Sequence, residues 1–234
     1  MTDVSPTAPG WYGKIPAVGD FVSRRLPQHF IDLWHDWLQQ GIAASRSALQ
    51  DGWLDQYLNS PIWRFLLTPG ICGEFTWAGT LMPSVDRVGR YFPLTLAVQM
   101  EGRNENLSMI TAANNWYAAL EQLSLSMLDM NSSVNELEDG LIGTPFPQLG
   151  DSAVRSAKEF ALWWTIGDAT PKVIDLMGPG AVNELVQMAT GEGFIAKGSG
   201  RSLWWTSEHM KLHCFIGLPP PGYFSVLLEN RTIV

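Results

Sequence analysis

The apolar spacing of this chain changes near Pro61, and that change constrains the fold more than any single motif. From Pro27 onward, Phe30, Leu33, Trp34, Trp37, Leu38 and Ile42 recur at steps of three and four, the spacing of one helix face. Pro27 suits the first turn of that helix, where a missing N–H costs nothing. A second short helix over about 52–59 ends before Pro61, because a residue ahead of proline is pushed out of helical geometry. After that the apolar runs become short and bounded by Gly or Pro. WRFLL (63–67), GEFTWAGTLM (73–82) and YFPLTLAVQM (91–100) therefore predict strands.

The same two periods alternate along the rest of the chain. GWYGKI (10–15) and DFVSRR (20–25), separated by Pro16 and Gly19, predict a strand, a turn and a second strand. Leu107, Ile110, Trp116, Leu120, Leu123 and Met127 predict a helix within 105–130, and a shorter one follows over 132–141. EFALWWTIG (159–167), a helix at 180–190, RSLWWTSE (201–208) and KLHCFIG (211–217) complete the second half, and PPPGYFSVLL closes it. LWWT occurs twice, but its flanks do not match, so the two copies read as similar buried strands rather than a duplication. Residues 1–10 mix Pro, Thr, Ser and Gly and read as a flexible tail, leaving 11–234 as one domain without a long linker. The expected fold class is α/β: a single-domain, three-layer sandwich with a mixed, largely antiparallel sheet and helices on both faces.

Composition excludes several functions. Hydrophobic residues make up 46% of the 234, and only 16% are charged, so the chain can bury a large core. Most of its eleven tryptophans belong in that core. The net charge is −8, with 8 Lys+Arg against 9 Asp+Glu in residues 1–103 and 7 against 14 beyond, which argues against a nucleic-acid partner. Any basic surface belongs to the first half. No apolar run reaches the roughly 18 residues of a membrane span, and the N-terminus lacks a basic-then-apolar leader, so a cytoplasmic protein is expected. Cys72 and Cys214 are isolated and read as buried thiols.

Most catalytic patterns are missing. There is no GxSxG elbow, and His29, His35, His209 and His213 assign no base to a nucleophile. GEGFIAKGSG (191–200) has Lys197 ahead of its last glycines and a helix before it, the wrong register for a phosphate loop. Glu136, Glu138 and Asp139 form the densest acidic cluster and read as a solvated helix face with no opposing cation. No cofactor or metal site is expected. The segment PSVDRVGRYFPL (83–94) stands apart. Gly89 and Asp86 suffice for a turn. Two guanidiniums three residues apart exceed what a turn requires, since each is a rigid fork suited to carboxylates or phosphates. One of them can lock onto Asp86 or Asp20 while the other faces a partner.

Three blocks in order, GWYGKIPAVGDFVSRRLPQHFIDLWHDWL (10–38), SPIWRFLLTPGICG (60–73) and GTLMPSVDRVGRYFPLTLA (79–97), with a weaker SLWWT (202–206), resemble the TagF/ImpM accessory proteins of bacterial type VI secretion systems. The resemblance implies a compact α/β sandwich and a non-enzymatic cytoplasmic regulator that restrains apparatus assembly post-translationally. It further implies a forkhead-associated scaffold protein as partner, and a member without the phosphatase domain to which some relatives are fused. The polar positions carried by the blocks are Lys14, Asp20, Arg24, Arg64, Ser84, Asp86, Arg87 and Arg90. On the interaction reading, the GKIPAVGDF and SVDRVGR turns lie side by side as a docking surface anchored by Trp11, Tyr12 and Tyr91. On the alternative, Lys14, Asp20, Ser84, Asp86, Arg87 and Arg90 line an enzyme or anion-binding site for a phosphorylated or carboxylated ligand. On either, the cluster can equally be an internal ion network.

Overall fold

In the computed structural model of the chain the described residues are 8–100, 114–146, 171–175, 200–207 and 211–229. Their elements are β1 (Gly10–Gly13), β2 (Val22–Arg24), α1 (Gln28–Leu49), α2 (Trp53–Leu58), β3 (Trp63–Leu67), β4 (Thr76–Met82), β5 (Leu94–Met100), α3 (Asn114–Ser126), α4 (Val134–Ile142), β6 (Lys172–Asp175), β7 (Arg201–Trp205), β8 (Lys211–Ile216) and α5 (Phe224–Leu228). The strands form one sheet in the order β2-β1-β5-β4-β3-β7-β8-β6. Every pairing among the described residues is antiparallel, so the mixed character expected from the sequence is absent there.

The central strands carry apolar side chains on both faces, and this is why helices cover both. In β3, Trp63, Phe65 and Leu67 join one buried cluster and Leu66 the other. β4 divides the same way, with Trp77 and Leu81 against Ala78 and Met82, and β5 sends Leu94, Leu96 and Val98 to the second cluster and Ala97 to the first. The first cluster is closed by α1, through Phe30, Trp34, Trp37, Leu38 and Ile42, and by α5. The second is closed by α3 and α4. The result is helix, sheet, helix.

Sequence periodicity located these elements well, with exceptions. Leu33, placed on the buried face of α1, is 39% exposed. β6 went unread because KVID is short and only partly apolar. β1 begins at Gly10 and Ala8 is buried, so order starts ahead of Trp11. Residues 1–7, the 159–167 and 180–190 segments, His209, Lys197, Leu107 and Ile110 lie outside the described residues. All nine described tryptophans are buried. Several bond their indole N–H: Trp34 to Thr95 Oγ1 at 2.8 Å, Trp37 to the Pro219 carbonyl at 2.8 Å and Trp63 to the Leu227 carbonyl at 2.7 Å. Gly41 lets α1 meet α5, since a Cβ there would lie 2.4 Å from the Phe224 ring. No helix among the described residues is long and apolar enough to cross a membrane.

Candidate functional site

β1 runs antiparallel to β5, with Tyr12 opposite Thr95, so the loop leaving β1 and the loop entering β5 emerge at one end of the sheet. That topology brings the GKIPAVGDF and SVDRVGR turns together. The Arg87 N–H donates to the Val18 carbonyl at 3.1 Å, the Ser84 hydroxyl to the Lys14 carbonyl at 2.7 Å, and the Arg90 guanidinium to the Gly19 carbonyl at 2.6 Å. Gly89, at φ 84°, lets the chain reverse between Asp86 and Arg90.

Asp86 is the centre of the arrangement. Its side chain is fully buried and accepts from Lys14 Nζ at 2.9 Å and Arg90 Nε at 2.7 Å, and from the Val88 and Arg90 N–H groups at 3.0 and 2.9 Å. Burial alone would raise the carboxyl's pKa. The four hydrogen bonds outweigh it and hold the group well below the usual carboxylate range. Tyr57, on α2, secures the loop from below: its hydroxyl donates to the Ser84 carbonyl at 2.9 Å and accepts from the Ser84 N–H at 3.1 Å. Burial pushes the Tyr57 hydroxyl far up, so it stays a neutral donor.

The eight candidate residues therefore separate. Lys14, Ser84 and Asp86 are buried and bonded to one another or to the loops. Arg90 braces Asp86 with its guanidinium half in solvent. Arg87 is exposed, and its guanidinium has no hydrogen-bond or ion-pair partner among the described residues. Asp20 is exposed and accepts from the Phe21 N–H at 2.8 Å. Arg64 is elsewhere: it is buried on the α3 side of β3, forked onto both Glu121 oxygens at 2.7 and 2.9 Å, and donates to Asn114.

Arg24 belongs to a second hub. It lies 3.6 Å from Glu138, which also accepts from both terminal guanidinium nitrogens of Arg25, at 2.5 and 3.2 Å, and from the Trp11 indole N–H. The reading of Glu136, Glu138 and Asp139 as a solvated face is thus corrected. Glu138 is buried and paired, while Glu136 forms a capping box with Ser133 and only Asp139 is simply exposed. Burial opposes ionisation of Glu138, but Arg25, Trp11 and Arg24 lower its pKa overall. Arg25 is held at φ 56°, the left-handed region, with its Nε on the Pro9 carbonyl at 2.9 Å. A signal existed: Val134, Leu137, Glu138 and Leu141 fall at the positions of one buried helix stripe.

The expected aromatic anchors are also corrected. Trp11 and Tyr12 are buried, and Tyr91 is half-buried against Trp53 and Tyr57. The exposed aromatic of these two loops is Phe21, which stacks on Tyr12 and meets Phe92 and His35 edge-on, with Lys14 Nζ 4.7 Å from its ring centre. Tyr12 bonds His35 and is pushed up to about 12 by burial and the Asp32 charge. His213 is buried and bonded to the Tyr223 hydroxyl. Both cysteines are free and buried, and burial pushes the Cys72 thiol up to about 12. Among the described residues no three or more His, Cys, Asp or Glu are placed to hold a metal. An apolar pocket lined by Tyr57, Pro61, Trp63, Leu81, Phe224 and Leu227 contains none of the candidate residues.

A comparison with curated proteins returns no match. The chain is similar over 97% of its length to the crystal structure of PA0076 from Pseudomonas aeruginosa PAO1, covering 96% of that chain, at 33% identity and a TM-score of 0.71. Residues 10–142, which contain both hubs and the Arg64 pair, match the TagF N-terminal domain, described as type VI secretion system-associated. The chain belongs to that TagF family and is a type VI secretion-associated protein.

Proposed function

We propose that the protein is a non-enzymatic cytoplasmic regulator that restrains assembly of the type VI secretion apparatus post-translationally, by binding a forkhead-associated scaffold protein. Family membership supplies the system. The observation that carries a binding role is the saturation of the Asp86 hub. A general acid or base needs a pKa near working pH, and Asp86 is held far below it by four donors. Ser84 gives its proton to a main-chain carbonyl instead of a base, and Lys14 is already paired. A ligand anion at this hub would have to displace a buried carboxylate from both cations. Such an arrangement fixes two loops rigidly, as a recognition surface requires.

The test is calorimetric titration of the purified chain with the forkhead-associated scaffold, alongside measurement of secreted substrate in cells lacking or overproducing the chain. Saturable binding, with secretion raised on deletion and lowered on overproduction, is the expected result. No binding, or secretion indifferent to the chain's level, overturns the proposal.

A further inference from the structure

The Asp86 and Glu138 hubs share an imbalance: each buried carboxylate is flanked by two cations. Asp86 is shared by Lys14 and Arg90, and Glu138 by Arg25 and Arg24. Each group thus carries one surplus positive charge, and the outer cation of each, Arg90 or Arg24, has more than half its side chain in solvent. Arg87 adds a third exposed positive charge beside the first hub. Arg87 and Arg90 lie in the turn ahead of β5, bonded to the loop leaving β1, whereas Arg24, opposite Trp11 on β2, faces Glu138 on the other side of the sheet; the chain's net charge is −8. Nearby acids are Asp20, which accepts from the Phe21 N–H, and Asp32 of α1, which accepts from Gln28.

The same loops expose two apolar side chains. Val88 is 66% exposed at the tip of the Asp86 turn, and Phe21 is 39% exposed. Lys14 ties them to one hub, since its Nζ bonds Asp86 and lies under the Phe21 ring. Arginines around exposed apolar groups on a rigid base are the composition of a protein interface. The surplus charge selects the sign of what docks.

We infer that the face formed by the two paired loops binds an acidic protein segment, carboxylates meeting Arg87 and Arg90 and an apolar side chain covering Val88 and Phe21. The inference rests on the regulator reading, which it extends by naming the chemistry of the partner's contact segment. The test uses the full chain and a labelled peptide of alternating Glu and Leu, with a Lys–Leu peptide of equal length as control, and the forkhead-associated scaffold in parallel. Arg87→Glu and Val88→Asp change exposed side chains only, so the melting temperature should stay within about 2 °C. The Glu–Leu peptide should bind, weaken with added salt, and lose about tenfold in affinity in either variant, while the Lys–Leu peptide should not bind.

Equal binding of the two peptides, or an acidic-peptide affinity unchanged in both variants, overturns the inference. Scaffold binding that survives both substitutions also overturns it and leaves the regulator reading standing. A scaffold that ignores the wild-type chain sinks that reading, and the peptide result then decides this inference alone.

Discussion

Arg64 and Arg90 are the same residue type in neighbouring sequence blocks, yet the structure uses them oppositely. Arg64 is the centre of its group, buried and enclosed by Glu121 and Asn114, and the ion pair is neutral. At the other site the carboxylate of Asp86 is the centre and Arg90 lies on the rim, leaving a positive surplus. The first arrangement only holds α3 to the sheet. The second holds two loops together and also presents charge to solvent. Which ion is buried at the centre determines whether a brace can double as a recognition surface.

Asp86→Ala should break this comparison most severely. It strands the Lys14 ammonium and two N–H groups without their acceptor, at a cost of about 4–5 kcal/mol. Calorimetry should show a fall in melting temperature on the order of 10 °C for a chain of this length. A fall of only a degree or two would mean that solvent replaces the carboxylate. Arg64→Ala should cost about 3–4 kcal/mol by leaving Glu121 unpaired, and Arg64→Lys should recover less than half, since an ammonium cannot fork onto both oxygens. Full recovery by lysine would reduce the pair to a simple charge contact.

Acid sharpens the difference between the two carboxylate-centred hubs and the rest of the molecule. Asp86 and Glu138 are held below their ordinary values of 3.8 and 4.5, so the unfolded chain takes up protons first as pH falls. Their contribution is therefore complete above those values and is lost as pH drops through the lower folded ones. The melting temperature should be flat from pH 7 to about 5 and fall below about 4, and Asp86→Asn should start lower but fall less steeply. An equally steep decline in that variant would assign the acid sensitivity to other groups.

The rim should respond least. Arg90→Ala should cost about 1 kcal/mol, because more than half of its side chain is in solvent, and Arg87→Ala within about 0.5 kcal/mol. Chemical denaturation reads both. A loss at Arg87 as large as at Arg64 would make it part of the frame rather than of a surface.

Much of the fold was legible because near neighbours fix it. The 3–4 spacing of α1, the runs of β3, β4 and β5, and the Asp86–Gly89 turn all follow from residues within a few positions of one another. The candidate loops were legible as a group, although their division into frame and surface was not. Glu121 and Glu138 sat in view, each four residues after an apolar residue of a buried helix stripe, Tyr117 and Val134. Read strictly, a carboxylate in such a stripe announces a cation waiting opposite. The identity of that cation was hidden.

The sequence by itself determined the elements, the turn and the two-sided apolar strands, because local sterics and periodic burial act over short distances. Only tertiary structure decided which charges met. Glu138 finds Arg25 across 113 residues, Lys14 finds Asp86 across 72, and Arg64 finds Glu121 across 57. A charge excluded from water must be neutralised by whatever the fold brings within reach, and strand order sets that reach.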